Sequence, residues 1–505
     1  MRFQFTRRQW STIIVISIAD FCNAICVALQ APFFPQEAEN KGCTATEYGL
    51  VFGVFELVVF IISPFYGAHL NRLGPKVVFN AGILTTSTCA ILFGFLDKID
   101  GHVPFVTLAF AIRIVEALGN AAFLTASFAI IAKEFPNNVA TMFASLETFF
   151  GLGLIAGPMI GGALYAVGGY SLPFAVLGAT LFCTALLCYI TLPKSSDDED
   201  YKHSGPSMLT LLRVPGVLIA SLSIISTSMS IGFLQATLEP HFRQVHFNFS
   251  PVILGLIFVI NGGFYAVSAP AWGWLCDHPA VKPKYITSIG HIFVVAAFLL
   301  IGPAPFFDMP TILWVTVLGL VLHGLGMGSL LVSSFSDALS TAIANGFPNS
   351  IETYGLVSGL WTSTFALGAF IGPTVSGVLF DSIGFRSSTA FIVILHIIVL
   401  LMVLVYMWSC DRSKMDLSVS AGDLLQMDGT LDKGVLTGED FIPATRPKSR
   451  RYGISLERSR PPAMNSLIAC SSYKNRRSPW SQRTPRYRPS YGSLDTRFRG
   501  TVSVT

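Results

Sequence analysis

Long apolar stretches recur along most of this chain of 505 residues, and they constrain its fold more than any other feature. A helix needs about 20 predominantly apolar residues to cross the hydrocarbon core of a bilayer. Twelve stretches meet that length, near 11–34, 48–70, 77–96, 104–132, 139–166, 171–192, 216–239, 251–275, 284–302, 311–336, 351–379 and 388–408. Only 12% of the residues are charged, about half the usual fraction in a soluble protein. We therefore expect an all-α membrane protein with twelve transmembrane helices.

A polar break divides the twelve segments into two sets of six. We expect a first six-helix bundle over 1–193, a cytosolic linker over 194–215 and a second six-helix bundle over 216–410. The remaining segment, 411–505, holds 17 of the 33 Lys and Arg residues and few aliphatic residues toward its end. Because it cannot bury enough apolar surface to offset the entropy of ordering, we expect a disordered basic tail. We expect this tail to bind anionic lipid head groups or to carry phosphorylation sites, and not to bind nucleic acid.

Basic residues in the short loops lie mainly on one side of the predicted membrane. That side carries Arg7, Arg8, Arg72, Lys76, Lys133, Lys194, Lys202, Arg213, Lys282, Lys284 and the basic tail, whereas the other carries Lys41, Lys98, Arg243 and Arg386. The side richer in Lys and Arg generally faces the cytosol. With an even number of helices, both termini are expected to be cytosolic.

A motif of glycines and a proline occurs once in each set of six segments. The fifth segment contains Gly153, Gly157, Pro158, Gly161 and Gly162, and the eleventh contains Gly368, Gly372, Pro373, Ser376 and Gly377. Small residues four apart let two helix backbones approach closely, and a proline inside a spanning helix frees a carbonyl and kinks the helix. One such motif is most simply explained by ordinary packing. Two copies at matching places indicate a duplicated fold with a close-packed hinge in each half.

The loop after the second segment resembles the signature of the major facilitator superfamily, G-x-L-a-D-R-x-G-R-K. It contains Gly67, Arg72 and Gly74, with Asn71 where the signature has aspartate and Pro75 where it has arginine. The eighth segment ends in a related string that runs from Gly273 to Asp277. The glycine and proline motif of the fifth segment resembles that of the proton-coupled exporters of this superfamily. The resemblance implies two bundles related by a pseudo-two-fold axis along the membrane normal, with a cavity that opens alternately to each side.

Further strings resemble the polyamine branch of the vesicular amine transporters. They lie at 31–39, 134–141, 145–149 and 354–360, and the similarity covers roughly residues 10–410. This resemblance implies a proton-coupled antiporter, not an enzyme, that loads spermidine- or spermine-like amines from the cytosol into acidic secretory or other vesicles. A broad organic-cation or drug antiporter of the plasma membrane, and a non-transporting sensor or scaffold, remain alternatives.

We expect the substrate to be an organic cation and the other partners to be protons and the lipid bilayer, with no nucleic acid and no cofactor. The nine cysteines show no spacing typical of a metal site or a disulfide framework. The protein is expected to be monomeric.

Ionisable residues inside the apolar segments are the candidates for substrate and proton binding, because a charge in lipid is costly. Asp20 lies in the first segment with Asn23 one turn further on, and a carboxylate here can bind an amine and a proton in competition. A helix-packing hydrogen bond is the alternative role. The related vesicular monoamine transporters have an acid nine residues before the proline of helix 1. Counting back nine residues from Pro32 gives Asn23 in this chain. In the seventh segment, Gln235 occupies the position at which the family has an acid, and Glu239 follows one turn later.

Arg113 and Glu116 lie three residues apart in the fourth segment and can form an ion pair. They resemble an exporter motif whose arginine is associated with proton coupling, although a purely structural pair is equally consistent with the spacing. Asp337 lies where the family has an acid near the end of the tenth segment, and Tyr265 of the eighth can offer a cation–π contact to an amine. Weaker candidates are Glu56, Glu147 and His323.

Overall fold

The computed structural model describes residues 5–30, 34–43, 45–192, 207–245, 251–302 and 310–431. This part of the chain contains thirteen α-helices. They are α1 (Arg7–Leu29), α2 (Phe34–Asn40), α3 (Ala45–Leu73), α4 (Pro75–Phe93), α5 (His102–Glu134), α6 (Val139–Gly168), α7 (Ser171–Thr191), α8 (Met208–Leu212), α9 (Pro215–Gln244), α10 (Pro251–Asp277), α11 (Pro283–Ile301), α12 (Leu313–Ala344) and α13 (Ile351–Leu431). All except α2 and α8 are long and apolar enough to cross a membrane.

The last helix, α13, consists of two membrane-spanning parts that meet at Gly384. Its 81 residues would form a straight rod about 120 Å long, several times the thickness of the hydrocarbon core. Gly384 interrupts the helix with φ 75° and ψ 168°, a left-handed conformation that glycine adopts without steric cost. When the two parts are counted separately, the described residues form twelve spans, as the sequence predicts.

Beyond the second span, α13 continues to Leu431. The composition of the chain predicts a disordered tail from residue 411 onward, whereas the structure continues the helix over residues 411–431. A helix extends easily from an existing helix because the unfavourable nucleation step is already complete. The rest of the predicted tail, 432–505, and most of the predicted linker, 193–206, lie outside the described residues.

The helices form two six-helix bundles with matching internal contacts. In the first bundle α1 packs on α6 and α7, and α4 packs on α5; in the second, α9 packs on α13 and α11 packs on α12. The bundles meet where α3 packs on α13 and α6 packs on α10. We call the membrane face on which α1 begins and α3 ends the terminal face, and the opposite one the far face.

Candidate functional site

The duplicated glycine motif forms an equivalent helix contact in each bundle. A Cβ atom on Gly153 or Gly157 of α6 would lie 2.5 or 2.9 Å from a backbone carbonyl oxygen of α1. A Cβ atom on Gly368 or Gly372 of α13 would lie 2.5 or 2.8 Å from a carbonyl oxygen of α9. Non-bonded carbon and oxygen atoms do not approach this closely, so both contacts require glycine.

The outer residues of the motif are less crowded. A Cβ atom on Gly162 or Gly377 would meet no described atom within 4 Å. Gly161 is buried in α6, and the side chain of Pro158 lies outside the described part of the structure. Pro373 packs against α9, where its ring lies 2.6 Å from the position of a Cβ on Gly232. The close approach therefore depends on the first two glycines of each motif.

Asp20 and Asn23 lie on α1 beside the contact with α6, and both side chains are buried. Asn23 Nδ2 donates a 2.8 Å hydrogen bond to Asn120 Oδ1 of α5, which joins α1 to a second helix. Asp20 Oδ1, in contrast, accepts no hydrogen bond from any described residue. An unpaired carboxylate oxygen in a low-dielectric interior is energetically costly, and it is a strong acceptor for a proton or an organic cation.

A second acid, Glu147 of α6, lies close enough to Asp20 for their charges to interact. Glu147 is buried, and its Oε2 accepts a hydrogen bond from the hydroxyl group of Tyr265 in α10. One residue further along each helix, Thr148 Oγ1 donates a 2.8 Å hydrogen bond to the carbonyl oxygen of Ala266. These contacts cross from the first bundle to the second. Two neighbouring carboxylates repel each other, and a bound cation or proton relieves this repulsion.

Arg113 and Glu116 form a buried ion pair in α5, with Nη1 and Oε2 2.9 Å apart. Gln30, just after α1, donates to both oxygens of Glu116 at 2.9 and 3.0 Å. The guanidinium group lies 4.3 Å from the centre of the Phe55 ring in α3. Because Glu116 is fully engaged within the first bundle, its geometry favours the structural interpretation of this pair.

Asp337 and His323 have partners other than the acidic pair formed by Asp20 and Glu147. Asp337 forms an ion pair with Lys284 of α11 about two turns before the end of α12, close to the terminal face. Gln235 is exposed on α9, and the side chain of Glu239 lies outside the described part of the structure. His323 contacts Ser230 Oγ at 2.9 Å and Asn261 Nδ2 at 2.8 Å through its two ring nitrogens, as expected of a packing histidine.

Asp277 holds the two bundles together on the terminal face. Its carboxylate, at the end of α10, accepts hydrogen bonds from the backbone N–H groups of Ala140 and Thr141 at 3.1 and 2.8 Å. Thr141 Oγ1 donates a further bond of 2.6 Å to the same group. Ala140 and Thr141 lie in the first turn of α6, so the second bundle supplies an acidic cap to a helix of the first.

The α3–α13 contact lies on the same face. A Cβ atom on Gly67 would lie 2.5 Å from the carbonyl oxygen of Gly355, so only glycine permits this approach. Asn71 Nδ2 donates a 2.9 Å hydrogen bond to Glu352 Oε1 in the first turn of α13. Gly74 begins α4 with φ 83°, and the neighbouring Arg72 is exposed.

An aromatic cluster lies between these two contacts. Phe143 of α6 stacks on Phe335 of α12 with ring centres 4.3 Å apart. Trp361 of α13 packs edge-on against Phe143 and against Phe128 of α5 at 5.2 and 5.1 Å. All four side chains are buried. Together with the polar contacts, this cluster joins the bundles on the terminal face.

The structure adds functional contacts that the sequence analysis does not assign. They are the hydrogen bond from Tyr265 to Glu147 between the bundles, the hydrogen bond from Gln30 to Glu116, and the hydrogen bond from Asn23 to Asn120. The available signal was the presence of polar residues in apolar segments, which marks Glu147 as a membrane-depth acid but does not identify its partner.

Residues 16–351 match the Major Facilitator Superfamily. The MFS-type transporter SLC18B1 of Homo sapiens is 37% identical over 385 residues, which cover 76% of this chain and 83% of that protein. The SLC18B1 protein of Mus musculus is 38% identical over 381 residues, covering 75% and 82% of the two chains. The quinolone resistance protein NorA of Staphylococcus aureus is more distant, at 24% identity over 73% of this chain and 90% of its own.

A solved structure has the same fold. The crystal structure of the human organic anion transporter MFSD10 superposes with a TM-score of 0.66 and covers 79% of this chain and 100% of that chain, at 18% identity. With these matches and the two six-helix bundles, the chain belongs to the Major Facilitator Superfamily, in the branch that contains the transporter SLC18B1.

Proposed function

We propose that this transporter is a proton-coupled antiporter that moves organic amines, and polyamines such as spermidine and spermine in particular, by alternating access. The observation that carries the proposal is the pair of buried acids, Asp20 and Glu147, with one oxygen of Asp20 unpaired by described residues. A carboxylate pair of this kind binds an ammonium group or a proton. Because either one alone relieves the repulsion between the two carboxylates, the pair needs only one of them at a time. Competition between amine and proton for the pair is the basis of exchange.

Tyr265 connects this acidic pair to the second bundle. Its hydroxyl group donates to Glu147, so occupation of the pair by an amine or a proton changes a contact that spans the two bundles. A ligand drives a conformational change only when it interacts differently with the two states. The bond between Glu147 and Tyr265 gives a physical route for such a difference, with the glycine contacts of α6 and α13 as the surfaces on which helices shift.

The proposed direction of transport follows from the loops. The terminal face carries most of the loop Lys and Arg residues, which supports a cytosolic position for this face. Exchange of a cytosolic amine for lumenal protons then loads an acidic vesicle. The resemblance of residues 31–39 and 354–360 to the polyamine branch of the vesicular amine transporters supports the choice of substrate.

Uptake into proteoliposomes tests the proposal. The purified full-length protein should accumulate radiolabelled spermidine when the liposome interior is made acidic, and a protonophore should abolish the accumulation. Asp20→Asn should remove this accumulation because the amide cannot carry the proton. Asp100→Asn changes a fully exposed acid on the far face and serves as the matched control.

The outcomes separate the candidate functions. Entry of other organic cations but not of spermidine would replace the polyamine assignment with a broader drug or cation antiporter, which the 24% identity to a quinolone resistance protein also favours. Absence of gradient-driven flux for every amine tested would reject transport and favour a sensor or scaffold. Normal uptake by the Asp20→Asn variant would remove Asp20 from the coupling site.

A further inference from the structure

Three side chains outside the proposed transport site meet on the far face of the first bundle. Cys43 lies in the connection between α2 and α3, Glu47 lies in the first turn of α3, and His102 is the first residue of α5. One potential ligand atom from each lies within 4.8 Å of the other two. We propose that Cys43, Glu47 and His102 bind a transition-metal dication, with Zn²⁺ as the best match.

The geometry is close to that of a bound zinc ion. Zinc bonds of about 2.0–2.3 Å in a tetrahedral arrangement place ligand atoms roughly 3.3–3.8 Å apart. His102 Nε2 already lies 3.0 and 3.1 Å from the two carboxylate oxygens of Glu47. A metal ion replaces the proton between these two groups, and the Cys43 sulfur atom completes the set after a shift of about 1 Å.

The chemistry of the three donors selects the metal. A thiolate, an imidazole nitrogen and a carboxylate are the three ligand types that zinc uses, and three protein ligands leave a fourth position for water. Calcium and magnesium prefer ligand sets made only of oxygen. The thiolate and the carboxylate together carry two negative charges, which balance those of a dication.

Cys43 must lose its proton to bind the metal, because the thiolate is the ligand form of cysteine. The side chain is buried, and a bound dication supplies the positive charge that stabilises a thiolate there.

The site lies wholly within the first bundle, and it ties the start of α3 to the start of α5. Glu47 and His102 are 55 residues apart in the sequence, which is why no ligand spacing is visible there. A ligand that binds only the folded protein stabilises it in proportion to RT ln(1 + [L]/Kd). The metal is thus expected to stabilise the far face of the first bundle without contacting the acidic pair.

Cobalt, which replaces zinc and is visible by absorption, tests the site in the purified full-length protein after dialysis against a chelator. The wild type should show a thiolate-to-cobalt charge-transfer band that Zn²⁺ removes by displacement. Cys43→Ser should abolish the band, and Cys183→Ser, which changes an exposed cysteine of α7, should leave it unchanged. His102→Asn removes a ligand and should weaken Zn²⁺ binding in equilibrium dialysis by more than the roughly 10–100-fold that loss of a group hydrogen-bonded to a ligand typically costs.

A second measurement does not depend on the spectrum. Zn²⁺ should protect Cys43 from alkylation by a maleimide, read by mass spectrometry of the peptide that contains it, and His102→Asn should remove this protection. Unaltered metal-free thermal transitions would show that the variants fold. A cobalt band that persists in Cys43→Ser, or alkylation of Cys43 that Zn²⁺ does not slow in the wild type, would overturn the proposal. Neither readout depends on transport activity.

Discussion

The buried acids of this transporter differ in how completely they are paired. Glu116 has a guanidinium group and a glutamine amide as partners, and Asp337 has a lysine. Asp20 has an oxygen that no described residue satisfies. Removal of one member of a buried pair leaves an uncompensated charge, whereas an acid that lacks a partner can change its occupant at lower cost. At the residue scale, incomplete pairing therefore distinguishes the proposed exchange site from structural acids.

The ion pair of Arg113 and Glu116 allows a first test of this distinction. Glu116→Ala should destabilise the protein by about 3–5 kcal/mol because it leaves the Arg113 guanidinium buried without its carboxylate. Glu134→Ala removes the carboxylate from the more exposed pair with Arg8 and should cost at most about 1 kcal/mol. Thermal unfolding of both variants in the same detergent measures the difference. Equal transition temperatures would contradict the structural role of Glu116.

Sequence reasoning identifies the polar residues in the membrane, but not their partners. Asp20, Arg113 and Glu116 are visible as candidates because charge in an apolar segment is costly. The bond from Tyr265 to Glu147 joins residues 118 positions apart, in different bundles. Such a pairing depends on how the bundles meet, which no local pattern records. Glu147 is consequently visible in the sequence only as an acid at membrane depth, without the contact to the second bundle.

At the scale of elements, two pairs of helices repeat one contact. The first glycines of each motif bring α6 against α1 and α13 against α9. Spacing within the motif is enough to predict close packing, since residues four apart share a helix face. It does not predict which helix is the partner. The short helices α2 and α8 have seven and five residues, too few to show a helical periodicity in the sequence. The break between the eleventh and twelfth segments is visible in the sequence, but its location at Gly384 comes from the backbone conformation.

The glycine contact can be tested by adding a single methyl group at two places in one helix. Gly153→Ala places a Cβ 2.5 Å from the Phe21 carbonyl oxygen, so α6 must move away from α1 and both stability and transport should fall. Gly162→Ala meets no described atom within 4 Å and should be neutral or stabilising by up to about 1 kcal/mol, as alanine favours helix.

Thermal unfolding and spermidine uptake by the two glycine variants check this prediction. The opposite order, or equal effects of the two substitutions, would argue against the glycine contact as the sensitive point of α6.

At the scale of the whole molecule, the described contacts between the bundles are strongest toward the terminal face. Asp277, the α3–α13 contact and the aromatic cluster all lie there. The number of spans and the duplicated architecture follow from the sequence pattern alone. The contacts that join the bundles on the terminal face do not, because they depend on how the two bundles pack together, which no local pattern records.

The orientation of the molecule gives a separate prediction. An exposed cysteine on the far face, Asp100→Cys, should be inaccessible to an impermeant maleimide in sealed vesicles whose cytosolic face is outermost. Arg7→Cys on the terminal face should be labelled at once, in a background that carries Cys43→Ser, Cys183→Ser and Cys470→Ser. Detergent should make both sites reactive. Labelling of Asp100→Cys in sealed vesicles would place the basic loops in the lumen and reverse the proposed direction.

The cap that Asp277 supplies to α6 gives the final prediction, because it couples one bundle directly to the other. Asp277→Asn keeps one acceptor oxygen but loses the charge that interacts with the helix dipole, an interaction of about 0.3–2 kcal/mol. The contact between α10 and the first turn of α6 should then break about 2- to 30-fold more often. Hydrogen exchange at the backbone amides of Ala140 and Thr141, which donate to this carboxylate, should rise accordingly.

Asp381→Asn, at an exposed acid on the far face, is the matched control and should leave exchange in the first turn of α6 unchanged. Slow exchange at Ala140 and Thr141 in Asp277→Asn would mean that the α3–α13 contact at Gly67 and the aromatic cluster hold the bundles together on the terminal face without the cap. Faster exchange, together with an altered uptake rate, would identify the charge of Asp277 as part of the energy difference between the two states of the proposed alternating-access cycle. Because the capped first turn and Glu147 lie on the same helix, α6, loss of the cap is expected to affect the acidic pair as well.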